Sequence, residues 1–176
     1  MKLKYFFYKI LAKMVPSRKY SIMNNYYRKS GAIIGKNCAI CSNLDLCDGY
    51  CLEIKNDVII SSDVLFVTHD ASASRLIKRS PSFWGRIVIG NNCFIGKRST
   101  IMYGVTLADN VIVAAGSVVT KSFLKSNIII AGNPARIIGD WDSLILKSTG
   151  KGMDAKDVPE AIKNNDMRLI ERSKVL

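Results

Sequence analysis

The chain of 176 residues has one histidine, His69, so it cannot assemble a three-histidine metal site. Four prolines and twelve glycines exclude a collagen-like repeat. Nowhere do apolar residues run unbroken for the ~20 positions that a membrane-spanning helix needs. Acid is scarce as well: 14 Asp and Glu stand against 26 Lys and Arg, a formal net charge of +12. The first acid is Asp45, and Lys2, Lys4, Lys9, Lys13, Arg18, Lys19, Arg28, Lys29 and Lys36 all precede it. This bias predicts an anionic partner (nucleic acid, anionic lipid or a phosphorylated small molecule) and is silent on fold. At 48% hydrophobic and 23% charged residues the chain is no disordered segment. Its length suits one main body with short extensions.

The cysteines, Cys38, Cys41, Cys47, Cys51 and Cys93, are odd in number. Residues 1–14 lack the unbroken apolar core and small-residue cleavage site of a secretory leader. The expectation is therefore reduced thiols in a cytosol. Cys38-x-x-Cys41 followed by Cys47 and Cys51 has the outline of a zinc knuckle. The second pair has the wrong spacing, however, and the repeat below turns Cys38 inward, so no metal is expected.

What the chain does have is a period of six. Ile89, Ile95, Ile101, Leu107, Val113 and Val119 are aliphatic without a miss. Between them stand the small or β-branched Cys93, Ser99, Val105, Val111 and Ser117. Turn formers fill the gaps: Asn91-Asn92, Tyr103-Gly104, Asp109-Asn110 and Ala115-Gly116. The same period runs through Ile34, Ile40 and Leu46, and through Ile54, Ile60 and Phe66 after a slip. Neither a helix nor a hairpin has this period. A six-residue repeat means a short strand and a sharp turn. Three sides close a triangular coil of ~18 residues, and coils stack at the ~4.8 Å strand spacing. Asn and Gly suit the corners because they tolerate positive φ. The pattern predicts an all-β solenoid of about four coils, interrupted once by the long stretch 67–87.

The run Ile89-Gly-Asn-Asn-Cys-Phe-Ile-Gly96 resembles the hexapeptide-repeat acyltransferases, as do Gly104-Val-Thr-Leu-Ala-Asp-Asn110, Ala115-Gly-Ser-Val-Val-Thr-Lys121 and Ala131-Gly-Asn-Pro-Ala-Arg136. The resemblance covers residues 31–139 and is closest to the O-acetyltransferase branch, with its galactoside, maltose, xenobiotic, capsule and lipopolysaccharide enzymes. It implies a left-handed parallel β-helix, a homotrimer with sites between subunits, and transfer of an acetyl group from acetyl-CoA to a hydroxyl. It also implies donor contacts at Lys97, Ala115, Thr120, Lys121 and Arg136, with the backbone at Gly96–Lys97 near the oxyanion. Lys and Arg suit the phosphates of CoA. Three departures stand out: Phe94 replaces a Trp, Gly139 stands where a second Arg can occur, and Leu107-Ala108 replaces Ile-Gly.

His69 falls where the hexads break and the excursion loop 70–86 begins. The family places its catalytic His in such a motif. A neutral imidazole can take a hydroxyl proton as attack occurs. The adjacent Asp70 would point to the opposite face of a strand, so it is read as a cap for the loop start. Asn43, Asp45 and Asp48, placed two coils earlier, are assigned to the acceptor. In the loop, Phe83 and Trp84 either stack on a sugar or pack on a neighbouring subunit, with packing favoured.

Residues 1–30 read as a helical cap. Leu3, Phe6, Phe7, Ile10, Leu11 and Met14 line one helix face, and Pro16 ends it. Ser17 caps a second helix carrying Tyr20, Met23 and Tyr27. The apolar face either covers the open first coil, the favoured reading, or meets an anionic membrane surface. The tail 140–176 is assigned a helix from Pro159 to Ser173.

The function expected is O-acetylation of a sugar, in a bacterial surface polysaccharide or its lipid-linked precursor. The setting is the cytoplasm, with peripheral contact at the inner membrane face as a further option. Three rivals stand beside it. One is transfer to another acceptor (an antibiotic, serine or an amino sugar), one uses an acyl-carrier protein as donor, and one is a non-catalytic scaffold. Nucleic acid is not expected, because the cations are spread along the chain and no nucleic-acid motif is present.

Overall fold

The computed structural model describes residues 2–44, 48–77, 82–149 and 154–164. The chain divides into two compact units, parted after Ile138.

The first unit opens with α1 (Lys2–Met14), a tight turn (Pro16–Arg18) and α2 (Lys19–Lys29). Ser17 does not cap α2. The fixed φ of Pro16 starts a 3-10 turn that runs into the helix, so Ser17 lies inside it and Arg18 takes the N-cap.

Short strands follow. β1 (Ile33–Ile34), β2 (Ala39–Ile40), β3 (Leu52–Ile54), β4 (Ile59–Ile60) and β5 (Leu65–Val67) precede the excursion. The excursion holds β6 (His69–Asp70), the four-residue α3 (Ala73–Leu76) and β7 (Phe83–Trp84). Then come β8 (Ile87–Ile89), β9 (Phe94–Ile95), β10 (Thr100–Met102), β11 (Thr106–Leu107), β12 (Val111–Val113), β13 (Val118–Val119), β14 (Ile128–Gly132) and β15 (Ala135–Asp140).

Outside the excursion the chain visits three sheets in rotation. β1, β3, β8 and β11 form the first, β2, β4, β9, β12, β14 and β15 the second, and β5, β10 and β13 the third. Pairing between successive circuits is parallel. Where the repeat is cleanest, partners stand eighteen residues apart: Val88 with Thr106, Phe94 with Ile112, Thr100 with Val118. Earlier the offset is twenty, as in Ile34 with Ile54 and Ile40 with Ile60. The excursion does not disturb the register, since Leu65 still pairs with Thr100.

The six aliphatics of the repeat are all buried, as are Cys93, Ser99, Val105, Val111 and Ser117. These small side chains also satisfy corner carbonyls. Ser99 Oγ donates to Gly96 O at 2.8 Å and Ser117 Oγ to Ala114 O at 2.6 Å. Cys38 points inward and donates to Lys55 O at 3.0 Å. Burial pushes the Cys93 thiol up to about 11. Phe66 is half-buried, while Asp45, Leu46 and Cys47 lie outside the described residues.

Corners are built on left-handed backbone. Asn37, Asp57, Asn92, Asn110 and Asn127 turn the chain from the first sheet to the second, with φ of 54°, 59°, 53°, 59° and 60°. Their side chains form ladders: Asn92 Nδ2 donates to Asn110 Oδ1 at 2.8 Å, and Asn110 Nδ2 to Asn127 Oδ1 at 2.7 Å.

Helix α2 lies on the first strands. Asn24 Nδ2 donates to Cys38 O at 2.8 Å, Arg28 Nε to Ile34 O at 2.8 Å, and Tyr27 OH to Ser42 O at 3.2 Å. Helix α1 packs on α2, but through the face opposite to the one expected. Tyr5, Tyr8 and Ala12 turn inward, with both Tyr rings within 5.6 Å of the Tyr26 ring. Leu3, Phe6, Phe7, Ile10 and Met14 are 43–83% exposed. The tyrosines win the inner face because each buries a ring and still places its hydroxyl on a polar partner: Tyr5 OH on Asn43 Oδ1, Tyr8 OH on Lys29 Nζ.

The second unit carries α4 (Trp141–Ser148) and α5 (Val158–Lys163). Asp140 caps α4, accepting from Ser143 N at 2.9 Å. The sequence reading missed α4, whose signal was Asp140 as cap with Asp142 in the first turn. It assigned a helix to 159–173. The described helix ends at Lys163, and residues 165–173 lie outside the described residues.

Two outcomes are expected. Ile101→Ala, which empties a fully buried site, should lower unfolding stability by about 2–5 kcal/mol in denaturant titrations. Alkylation of the folded protein at mildly alkaline pH should label the exposed Cys41 and spare Cys93, read by peptide mapping.

Candidate active site

The excursion leaves and rejoins the solenoid at one corner. Gly85 N donates to Thr68 O at 3.1 Å, and β6 pairs antiparallel with β7, setting His69 opposite Trp84. Only glycine fits at the return, since a Cβ on Gly85 would lie 2.3 Å from Gly104 N.

This geometry fixes the His69 ring on two sides. The imidazole stacks on the Trp84 indole, with centroids 4.5 Å apart and planes 23° from parallel. Its Nδ1 lies 2.8 Å from Asp48 Oδ2, which also accepts from Thr68 Oγ1 at 2.9 Å. The carboxylate is shielded, with its side chain 13% exposed, whereas that of His69 is 42% exposed. One ring nitrogen is thus held by a carboxylate, and Nε2 has no hydrogen-bond partner among the described residues. Such a ring can take a proton at Nε2 while the carboxylate stabilises the imidazolium.

Asp70 is not the partner. Its Oδ1 accepts from Ser72 N at 2.8 Å, so it caps the loop start as expected, and that bond holds its carboxyl below the usual range. Asp48 was assigned to the acceptor and placed two coils away. It is one coil away: the offset of twenty that pairs Ile34 with Ile54 also sets Asp48 beside Thr68. That register was the signal available in the sequence, hidden by the two-residue slip after Leu46. Trp84 was expected to contact a sugar or a second subunit; its observed partner is the His69 ring.

The expected donor residues fall into two groups. Lys97 and Ala115 sit on stacked corners between the second and third sheets, where Lys97 O accepts from Gly116 N at 2.8 Å. Gly96 brings the two backbones close, for a Cβ there would lie 2.5 Å from Ala115 N. Thr120 and Lys121 stand at the far end of the third sheet. Phe66, Ile101 and Val119 are in register, so Thr120 leaves β13 on the side where Thr68 leaves β5.

Lys121 and Arg136 come together around a cavity of about 480 Å³, with Lys125, Ser122 and Phe123. The cavity has no acid in its lining. Lys121 Nζ lies 5.7 Å over the Phe123 ring, and Arg136 Nη1 donates to Ala135 O at 2.9 Å, which leaves further guanidinium donors for a ligand. Three cations with no ion-pair partner among the described residues fit phosphate groups such as those of CoA. His69 does not line this cavity in the single chain.

Residues 86–121 match the family model described as the hexapeptide repeat of succinyl-transferase. The chain is 39% identical over 106 residues to the galactoside O-acetyltransferase of Escherichia coli (strain K12), covering 60% of this chain and 52% of that protein. It therefore spans about half the length of that relative. It is also 39% identical over 125 residues to protein CapG of Staphylococcus aureus, covering 68% of this chain and 72% of that one. A hexapeptide-repeat acetyltransferase from Vibrio cholerae O1 biovar eltor, solved with acetyl coenzyme A, matches with a TM-score of 0.55 at 20% identity, over 72% of this chain and 78% of its own. At that identity the likeness is one of fold: a left-handed β-helix.

The contact with Asp48 predicts that the neutral His69 ring carries its proton on Nδ1, the less common tautomer. Two-dimensional ¹⁵N–¹H spectra would read this from the chain's one imidazole. Asp48→Ala should return the ring toward the Nε2–H form.

Proposed function

The chain belongs to the hexapeptide-repeat acyltransferases, and from that premise we propose that it moves an acetyl group from acetyl-CoA to a sugar hydroxyl. The observation that carries this reading is the His69 ring, held at Nδ1 by Asp48 with Nε2 free at the mouth of the excursion. The acceptor oxygen attacks the thioester carbonyl carbon as Nε2 takes its proton. The tetrahedral intermediate then collapses with cleavage of the C–S bond. The imidazolium returns the proton to the departing sulfur, leaving an O-acetyl ester and free CoA. Backbone N–H groups at the Gly96–Lys97 corner are the proposed oxyanion donors.

We assign the donor's phosphates to the cavity of Lys121, Lys125 and Arg136. Thr120 and the corner backbone of Lys97 and Ala115 are assigned to its pantetheine and nucleotide portions. His69 and this cavity do not share one lining, which favours a homotrimer whose sites form between subunits. Residues 31–139 would be the catalytic body, 1–30 a helical cap and 140–176 an appended tail. The proposed acceptor is a bacterial surface polysaccharide or its lipid-linked precursor, modified in the cytoplasm, where acetyl-CoA is found.

Acetyl-CoA at 100 times its Kd should stabilise the folded protein by about 2.7 kcal/mol in a thermal-shift titration. His69→Ala should keep that stabilisation and lose about 10²–10⁴ in kcat. Lys121→Ala and Arg136→Ala should instead weaken the thermal shift. No response of the wild-type protein to millimolar acetyl-CoA would overturn the reading.

A further inference from the structure

From the outward face of α1 we infer a docking surface for an anionic lipid bilayer. Leu3, Phe6, Phe7, Ile10 and Met14 all point away from the fold and are 43–83% exposed. At 3.6 residues per turn they occupy one arc of the helix, with Lys13 and Lys9 beyond one edge and Lys4 at the other. An apolar arc bordered by lysines is the pattern of a helix lying in a membrane interface: rings and aliphatics enter the acyl boundary, and lysines reach the headgroups.

The charge around the helix selects an anionic surface. No acid occurs before Asp45. Among the described residues, the ion pairs with Asp or Glu use His69, Arg86, Arg98 and Lys156, and none uses a cation of α1 or α2. The lysines rest on aromatic rings instead: Lys9 Nζ is 5.4 Å from the Tyr5 centroid and Lys29 Nζ 5.8 Å from that of Tyr8. Beside the helix, a cavity of about 300 Å³ is lined by Lys9, Lys13 and Lys19 together with Ala12, Met23 and Ile40. Lysines over an apolar floor match the chemistry of an anionic amphiphile.

A second copy of the chain is the competing occupant. A two-fold contact through this face would set the bordering lysines of one copy, Lys4, Lys9 and Lys13, against those of the other, with no acid on α1 to relieve them. An anionic surface meets both requirements at once.

This docking takes up the peripheral membrane contact that the sequence offers as an option, and it does not depend on acetyl transfer. Binding and turnover are therefore read separately. The full-length protein is co-sedimented with phosphatidylcholine vesicles, with and without phosphatidylglycerol. Binding should be at least about tenfold tighter to the anionic vesicles and should weaken as salt rises. The double variant Phe6→Glu with Phe7→Glu should lose this binding and keep the acetyl-CoA thermal shift, because both side chains are exposed. Should that variant fail to fold, Lys9→Gln with Lys13→Gln gives a second reading, with loss of the anionic preference expected. Equal binding to both vesicle types, or unchanged binding by a folded variant, would overturn the inference. So would a wild-type assembly that the Phe6/Phe7 variant alone disperses in analytical ultracentrifugation, for that would assign the face to a second copy.

Discussion

The corners of the solenoid must turn the chain within a few residues, and at most of them the backbone does so by entering the left-handed region. For most residues that conformation costs about 1–2 kcal/mol. Asn and Asp relieve the cost with a side chain that bonds locally, and at three corners the relief is shared: the amides of Asn37, Asn92 and Asn110 donate to Asp57, Asn110 and Asn127 of the next coil. The strands from β1 to β13 are two or three residues long and could not stand alone. Corner conformation and coil stacking therefore support each other, and the whole register follows. That register sets Asp48 beside Thr68 and His69, and it stacks the corner of Lys97 on that of Ala115.

The solenoid was legible because one period encodes both its core and its corners. The six aliphatics from Ile89 to Val119 are buried, and Asn92 and Asn110 take positive φ where turn formers were read. Of the site, His69 could be picked out by its place at the break in the repeat. Its partner could not, because the slip between Leu46 and Ile54 concealed which residue stacks below it. The orientation of α1 was illegible for another reason. A hydrophobic stripe says which face avoids water, but Tyr5 and Tyr8 on the other side offer rings and hydroxyls together, and the buried contact forms there. Ser17 was misread as a cap because a proline one position earlier starts a helical turn of its own.

Charge is unevenly distributed over these features. The shielded carboxylate of Asp48 accepts from Thr68 and holds the His69 ring, while Lys121, Lys125 and Arg136 line one cavity and Lys9, Lys13 and Lys19 another. Among the described residues neither group of cations forms an ion pair with Asp or Glu.

The excursion is closed by one backbone bond between Gly85 and Thr68, and the strands on either side of it pair as though it were absent. To the solenoid, its length and composition are therefore almost invisible. The core packing and the coil register are made without the residues between Asp70 and Phe83. The architecture thus separates the stacked coils, whose register sets the His69 corner, from a segment on which that register does not draw.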